Sequence, residues 1–416
     1  MAASATAGPV SAPSSGAEWK RNWPLVLTSA IGISLATVAV YSLGQFMAPL
    51  EHEFGWSRAE SSSGASILAF GTFALSAVIG RQVDRVNARR LAVAGVAICS
   101  LALAGLSLAQ GSLVAWLGLW CVYALGSALI SPTVWLAVVV SRFKATRNLP
   151  MALALSGSGI GSALSPILAR YLVDDFGWRS AYRLLALGWG GLALALTLLC
   201  FFDTRNLASA THPSGEAENP SRSGLAQLLL SAQFLKLALA VFAVMIIISA
   251  GMLNLAPLLV DHGLDRAEAA TVASLAGIGA ICAKPVTGWL FDNLPARVAT
   301  SLTMACLTTA CLALQYAETR GAALVGCFAL GASAGAMTAT MACASAQVFK
   351  PQDFGTVFGS LNSVMSLAAF IAPVLAGAVH DATRSYGPLL TVGIAAGAAL
   401  LMMSLGGRTA PDSAAE

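Results

Sequence analysis

The chain has 416 residues, of which 57% are hydrophobic and only 10% charged, and its mean hydropathy is +0.76. A soluble domain with so few charged side chains would lack an adequate water-facing surface, so this composition indicates an integral membrane protein. The net charge of +4 is spread over many short loops rather than gathered into a basic stripe, which argues against a nucleic-acid partner.

Residues 1–18 are mostly Ala, Ser, Gly and Pro and predict a disordered tail. Twelve apolar runs follow, each close to the roughly 20 residues that a helix needs to cross a bilayer. The runs lack the alternating pattern of barrel strands, so they predict an all-α membrane protein with twelve transmembrane helices. Their expected bounds are 24–50, 61–80, 91–110, 112–140, 150–174, 181–202, 232–260, 268–290, 298–317, 321–348, 354–380 and 387–406.

The chain contains an internal repeat. The stretches APLEHEFGWSRAE at 48–60 and APLLVDHGLDRAE at 256–268 share Ala-Pro-Leu, Gly and Arg-Ala-Glu at an offset of 208 residues. A second pair, PILARYLVD at 166–174 and PVLAGAVHD at 373–381, is offset by 207. These matches predict two pseudo-symmetric six-helix bundles around a central cavity, the arrangement of a transporter.

The expected domains follow from the repeat. They are a cytoplasmic tail at 1–18, an N-terminal bundle at 19–202, a Ser/Pro/Glu-rich cytoplasmic linker at 203–230, a C-terminal bundle at 231–407 and a cytoplasmic tail at 408–416. Most Lys and Arg residues fall on the side of the membrane that holds both termini. By the positive-inside rule, both termini are therefore expected in the cytoplasm.

Two loops carry a family resemblance. GRQVDRVNARR at 80–90 resembles the signature loop of the major facilitator superfamily, and GWLFDNLPAR at 288–297 is a degenerate copy of it. Within that superfamily, five stretches resemble the bacterial monocarboxylate and oxalate/formate transporter branch: EFGWSRAE (53–60), RNLPMALALSGSGIG (147–161), DDFGWRSAYR (174–183), AKPVTG (283–288) and FGTVFGSLNS (354–363). The resemblance implies the major facilitator fold, a multi-pass location in the bacterial inner (plasma) membrane, and alternating access.

The two loops predict a conformational latch. A carboxylate at a helix end can cap a neighbouring helix N-terminus and pair with Arg, and both contacts break when the halves rock apart. The resemblance implies the same role, although the charges could instead only enforce topology. The residues assigned to this gating role are Gly80, Asp84, Arg85, Arg89, Arg90, Gly288, Asp292 and Arg297.

Lys284 lies inside an apolar helix, six residues or about 9 Å from the expected cytoplasmic end near Leu290. Its equivalent in the first half is Ser76, so the fold itself does not require a cation there. In the resembling family an Ala-Arg-Pro-x-x-Gly pattern carries an arginine that holds the substrate carboxylate, which implies that Lys284 binds substrate. The alternative is that Lys284 snorkels to the interface.

Two departures from the family pattern affect selectivity and coupling. A lysine is a compact point charge, so it would orient a carboxylate less strictly than arginine. The family's aspartate one turn before the cation is Ala280 here. A carboxylate proton relay is thus unsupported, and proton symport through Lys284, facilitated diffusion and anion exchange all stay open.

Further polar or amphipathic residues on the cavity helices are expected to line the substrate site, with interhelical packing as the alternative. They are Tyr41, Gln45, Trp135, Asn254, Gln347 and Asn362. Arg170 lies one turn before Asp174, a spacing that predicts an i,i+4 pair.

The leading hypothesis is a secondary transporter of a small organic anion, which the resemblance implies is a monocarboxylate, with protons as a potential coupling ion. The alternative is a major facilitator exporter of drugs or another small organic solute. The sequence contains no nucleophile with its base and no metal-ligand spacing, so no catalytic residue, metal or cofactor is expected and the chain is not predicted to be an enzyme. The expected partners are the organic anion and the lipid bilayer, and a monomer is expected.

Overall fold

The computed structural model describes residues 15–143, 146–202, 229–349, 353–383 and 385–406. Most of the predicted N-terminal tail, most of the predicted linker and the predicted C-terminal tail lie outside these described residues. Helix α1 already begins at Ser15, inside the stretch expected to be a tail. Its first turns are anchored by packing, because the Trp19 ring lies 5.2 Å from the ring of Phe143.

The first half consists of helices separated by short turns. They are α1 (Ser15–Phe54), α2 (Arg58–Arg85), α3 (Ala88–Leu106), α4 (Leu113–Leu129), α5 (Pro132–Arg142), α6 (Asn148–Leu155), α7 (Gly157–Leu185), a π-helical turn (Ala186–Gly190) and α8 (Gly191–Cys200). The second half consists of α9 (Ala232–Leu253), α10 (Leu255–Asp261), α11 (Arg266–Asn293), α12 (Ala296–Gln315), α13 (Arg320–Val348), α14 (Phe354–Thr383) and α15 (Gly387–Gly406).

These helices account for the predicted membrane crossings. Ten helical spans among the described residues are long and apolar enough to cross a membrane, and Gly387–Met402 is a shorter apolar helix. The span Asn148–Cys200 has 53 residues, enough for two crossings, and is interrupted by Gly177 at φ 76° and ψ 158°. The described part of the chain is therefore consistent with the expected twelve helices in two bundles.

Corresponding turns have the same geometry in the two halves. Gly55 and Gly263, which are 208 positions apart, both adopt a positive φ, of 68° and 93°. Glycine is favoured there because it has no Cβ to clash in the left-handed region. After Gly55, Ser57 begins α2 with a reciprocal cap, in which its hydroxyl accepts from the Glu60 amide and the Glu60 carboxylate accepts from the Ser57 amide.

The two halves differ in their cores. The first half encloses large aromatic side chains that are fully buried, including Trp116, Trp120, Trp135, Tyr123 and Tyr182. The second half relies more on small residues, because a methyl group added at Gly331 or Gly335 of α13 would overlap the backbone of α11 at Ala276 or Ala280. This close helix packing is typical of membrane interiors.

Candidate functional site: two seams between the halves

The halves meet along two lines of contact. The first seam joins α2 to α14, and the second seam joins α11 to α6 and the start of α7. The end of the bundle where α2 finishes at Arg85 and α11 finishes at Asn293 is called the motif end, because the two signature loops follow these helices.

The second seam uses one stripe of α11, formed by Ile281, Lys284, Gly288 and Asp292. These residues are separated by three or four positions, so they share a helix face. A methyl group added at Gly288 would lie 2.7 Å from the carbonyl oxygen of Asn148, and one added at Gly159 would meet the Ile281 side chain. The backbones can therefore approach this closely only because glycine occupies both positions.

Lys284 is buried in this seam, with 7% of its surface exposed. Its Nζ donates to the Ser158 hydroxyl at 2.6 Å and to the Leu155 carbonyl at 3.2 Å. Leu155 is the last residue of α6, where the chain is interrupted before α7 begins at Gly157. The carbonyl end of a helix carries partial negative charge, which suits an ammonium group.

The surroundings of Lys284 favour an ammonium group held in the second seam over one that snorkels to the membrane interface. Helix α11 extends to Asn293, so Lys284 lies nine residues, or about 14 Å, from the helix end rather than the shorter distance expected from the sequence. Its side chain reaches toward the other half of the protein. Within the described residues both of its hydrogen-bond partners are uncharged, and substrate binding by Lys284 stays a prediction.

Asp292 connects the halves at the motif end. Its carboxylate accepts from the Asn148 amide at 3.1 Å, the Asn148 side chain at 2.8 Å and the Leu149 amide at 2.8 Å. The Asn148 side chain also donates to the Phe291 carbonyl at 3.2 Å. Asp292 thus caps the N-terminus of α6, the type of contact expected of a latch carboxylate. Arg297 is exposed, and its gating role stays a prediction.

At the residues whose side chains are described, the first seam repeats this arrangement with neutral groups. The Asn362 side chain donates to the Ser76 hydroxyl at 2.8 Å, and the Ala77 amide donates to the Ser363 hydroxyl at 3.2 Å. A methyl group added at Gly80 would overlap the Gly355 carbonyl oxygen.

The remaining latch residues of the first half are at the motif end. The side chains of Asp84 and Arg85 lie outside the described part of the structure. Arg89 donates to the Leu198 carbonyl at 2.7 Å, and Arg90 is exposed. Their gating roles stay predictions.

The two seams are related by the internal repeat. Gly80 and Gly288, like Ser76 and Lys284, are 208 positions apart. Their contact partners are 207 apart, since Asn148 corresponds to Gly355 and Leu155 to Asn362. The same helix contact is therefore made twice with several different side chains, and the position of Ser76 in the first seam is occupied by Lys284 in the second.

None of the other predicted lining residues has a described hydrogen bond to Lys284, and their lining roles stay predictions. Trp135 is fully buried in the first half, where its indole donates to the Ile130 carbonyl at 2.9 Å and packs against Phe201. Asn254 donates to Ala250 and accepts from the Tyr386 hydroxyl at 3.2 Å. Asn362 lies in the first seam, Tyr41 is 51% exposed, Gln45 is half-buried and Gln347 is exposed.

Sequence reasoning did not single out Ser158 and Asn148. Both lie in the stretch 147–161 already quoted for its resemblance, and Ser158 stands among glycines where α6 gives way to α7. The offset of 207 from Gly355 could have identified Asn148 as a seam residue. The offset alone could not have identified Ser158. The repeat relates backbone positions, whereas Ser158 is reached only by the end of the long Lys284 side chain.

A further network lies at the opposite end of the first half. The Glu53 carboxylate accepts from the Trp178 indole at 2.8 Å and pairs with Arg179 at 2.6 Å, and Arg179 also donates to the Ala109 carbonyl. These contacts fasten α7 to α1 and to the turn after α3. The predicted Arg170–Asp174 pair is confirmed at 3.7 Å, with both side chains largely exposed.

Two pseudo-symmetric six-helix bundles that meet along paired seams define a membrane transporter fold. The sequence matches the Major Facilitator Superfamily over residues 29–319, and the chain belongs to this family. Monocarboxylate transporter 11 of Mus musculus is 29% identical over 404 residues, which cover 92% of this chain and 85% of that protein. The family and this relative indicate a multi-pass membrane transporter rather than an enzyme.

Solved structures show the same fold. The transporter FucP in its outward conformation superposes with a TM-score of 0.71 at 16% identity, covering 93% of this chain and 99% of FucP. The human organic anion transporter MFSD10 superposes with a TM-score of 0.69 at 14% identity, covering 92% of this chain and 99% of that one. These likenesses confirm the expected major facilitator fold.

Proposed function

We propose that the protein carries a small organic anion, a monocarboxylate, across the membrane by alternating access, and that Lys284 binds the carboxylate. The observation that carries this proposal is a buried ammonium in the second seam with only uncharged partners among the described residues. The corresponding position of the first half is a serine, so the fold does not need the charge. The similarity to monocarboxylate transporter 11 supports the same class of substrate.

The geometry suggests how a carboxylate would act. An ammonium group has three donors, and the described contacts of Lys284 use two of them. Both described contacts already have a charged donor, and a carboxylate would add a full negative charge on the acceptor, so it would attract the ammonium more strongly than a neutral oxygen does. An arriving carboxylate would therefore compete with Ser158 and Leu155 for the ammonium and weaken one attachment between the halves.

The motif end is proposed to be cytoplasmic, with both termini on that side, as the distribution of Lys and Arg predicts. The cross-seam hydrogen bonds of Ser76, Lys284 and Asp292 all lie in the parts of α2 and α11 nearer the motif end. Contacts at this end favour a conformation closed to the cytoplasm, which is outward-facing. The membrane is proposed to be the bacterial inner membrane.

Asp84 is proposed to hold the first seam as Asp292 holds the second. The α6 amides capped by Asp292 belong to Asn148 and Leu149, whose repeat equivalents are Gly355 and Thr356 at the start of α14. A carboxylate at 84 would find the same kind of helix N-terminus there. Loss of both caps would accompany opening to the cytoplasm.

Coupling to protons is proposed to use Lys284 itself, since Ala280 replaces the family's aspartate. A protonated lysine and a bound carboxylate form a neutral pair, which crosses a low-dielectric environment at lower cost than a lone charge. Uniport and anion exchange are the competing modes, and a pH gradient separates them from symport.

The test is uptake of radiolabelled lactate, pyruvate, acetate, oxalate and an aromatic acid into proteoliposomes, with and without a pH gradient. Wild type is compared with Lys284→Ala and Lys284→Arg, and with Lys236→Ala as a control at an exposed lysine of α9. We expect saturable uptake of one acid that is lost in Lys284→Ala and retained in Lys284→Arg and Lys236→Ala. Full uptake by Lys284→Ala, or extrusion of lipophilic solutes without acid uptake, would overturn the proposal.

A further inference from the structure

A cavity of about 260 Å³ lies at the motif end of the first half, away from both seams. It is an open cleft bordered by the first turns of α1, the end of α5 and the end of α8, and its lining includes Arg21, Arg142, Leu25, Leu199 and Phe202. The cavity therefore combines guanidinium groups with an apolar wall.

Two arginines beside this cavity already have a structural role. Arg142 donates to the Phe202 carbonyl at 3.1 Å, and Arg89 donates to the Leu198 carbonyl at 2.7 Å. The Arg89 guanidinium also lies 4.3 Å from the centre of the Phe202 ring. Basic side chains commonly satisfy the last carbonyls of a helix, so these contacts are explained by capping of α8.

Capping does not explain Arg21. Arg21 lines the cavity, its side chain is exposed, and no described hydrogen bond or ion pair joins it to another described residue. Glu18, one turn earlier on α1, is buried and does not line the cavity. The described lining contains two arginines and no carboxylate, so it has a surplus of positive charge.

The position of the cavity indicates where an anion would come from. Helices α1, α5 and α8 belong to membrane-spanning segments, and the cavity lies at their ends. Trp23 and Phe202 are both about half exposed beside it, at 55% and 47%. Aromatic side chains are enriched where a membrane protein meets the headgroup layer, so these two rings favour a place for the cavity near the lipid phosphates.

We propose that this cavity binds the phosphate group of an anionic phospholipid. Guanidinium groups match phosphate oxygens with paired hydrogen bonds, and basic pockets between transmembrane helices bind anionic headgroups. Leu199 and Phe202, which are 71% and 47% exposed, provide an apolar surface for the start of the acyl chains. Free phosphate shares the headgroup chemistry, so the test must separate the two sources.

The experiment measures lipid retained by the purified full-length protein. Wild type, Arg21→Ala and Arg21→Lys are reconstituted in nanodiscs of phosphatidylcholine with increasing phosphatidylglycerol, extracted, and examined by native mass spectrometry. Lys20→Ala is the matched control, since it removes a neighbouring exposed charge that does not line the cavity. Because Arg21 has no described partner, Arg21→Ala is expected to fold, which size-exclusion chromatography verifies.

We expect wild type and Lys20→Ala to retain phosphatidylglycerol in preference to phosphatidylcholine, and Arg21→Ala to lose about tenfold in apparent affinity for it. Arg21→Lys should lie between them. A parallel titration with inorganic phosphate in phosphatidylcholine discs should leave thermal stability unchanged. Stabilisation by inorganic phosphate would overturn the lipid source, and equal retention by wild type and Arg21→Ala would overturn the site.

Discussion

The first and second seams are one helix contact made twice, and comparing them separates what the fold needs from what transport needs. In both, a glycine allows the backbones to approach, and a side chain four residues before it donates or accepts a hydrogen bond across the halves. At this position the first seam has Ser76 and the second has Lys284. Because a neutral pair is sufficient for the contact, the buried charge in the second seam requires another explanation.

The largest expected effect comes from making the second seam like the first. We expect Lys284→Ser to lower kcat/KM for the transported acid by at least about 30-fold, because removing one member of a buried charge pair costs 2–5 kcal/mol, and about 1.4 kcal/mol is tenfold. Uptake into proteoliposomes measures this. A monodisperse variant that retains wild-type uptake would contradict the comparison.

The second prediction tests whether the seams are mechanically equivalent. Gly80→Val and Gly288→Val each place methyl groups against the backbone of the opposite half, so both should prevent closure of the motif end. We expect each variant to reduce uptake at least about tenfold. A change of about 1.4 kcal/mol in the free energy of closing the motif end is enough to produce this effect. Gly118→Val is the control, since a methyl group there meets nothing within 4 Å. Loss of uptake in only one of the two seam variants would show that the seams are not equivalent.

The third prediction concerns the cap at the motif end. Asp292→Asn removes the negative charge at the N-terminus of α6, where a cap contributes about 0.5–2 kcal/mol. We expect a larger population open at the motif end, measured by electron–electron distances between spin labels on the two halves. Asn293→Ala is the control, because Asn293 donates to Trp289 within its own helix. An unchanged distance distribution in Asp292→Asn would contradict a latch.

The smallest expected effect is at Ser158. In Ser158→Ala the ammonium of Lys284 loses its shorter hydrogen bond, so an incoming carboxylate meets less competition. A hydrogen bond to a charged group contributes about 1.5–3 kcal/mol, and because the Leu155 carbonyl would remain as a competing acceptor, we expect a KM lowered by only about two- to tenfold. Ser162→Ala, one turn further along α7, is the control because the described hydrogen bond of its hydroxyl goes to the Gly159 carbonyl of the same helix. A KM that rises would indicate that Ser158 contacts the substrate directly.

The sequence predicted the helices and the repeat because the lengths of the apolar runs and the matching motifs are visible within short stretches of the chain. Gly80 and Gly288 were also predicted as a matched pair, and their close packing explains why neither can carry a side chain. The Arg170–Asp174 pair was predictable because both residues lie on one helix.

The hydrogen-bond and packing partners of the predicted residues were harder to predict from the sequence. Lys284 stood out by its charge, but Ser158 and Leu155 are more than 120 positions away and become its partners only where α6 ends. Trp135 was expected either to line the site or to pack between helices, and the sequence did not show that it packs against Phe201 and donates to the Ile130 carbonyl. Which face of a helix meets which neighbour depends on packing between segments, which a single sequence does not encode locally.

The central claim is that Lys284 holds the substrate carboxylate, and equilibrium binding tests it most directly. The acid that wild type transports would be titrated, in radiolabelled form, against purified wild type, Lys284→Arg, Lys284→Ser and Asp292→Asn. The account predicts saturable binding by wild type, Lys284→Arg and Asp292→Asn, and none by Lys284→Ser. Binding by Lys284→Ser with wild-type affinity would contradict it and assign the carboxylate to another site.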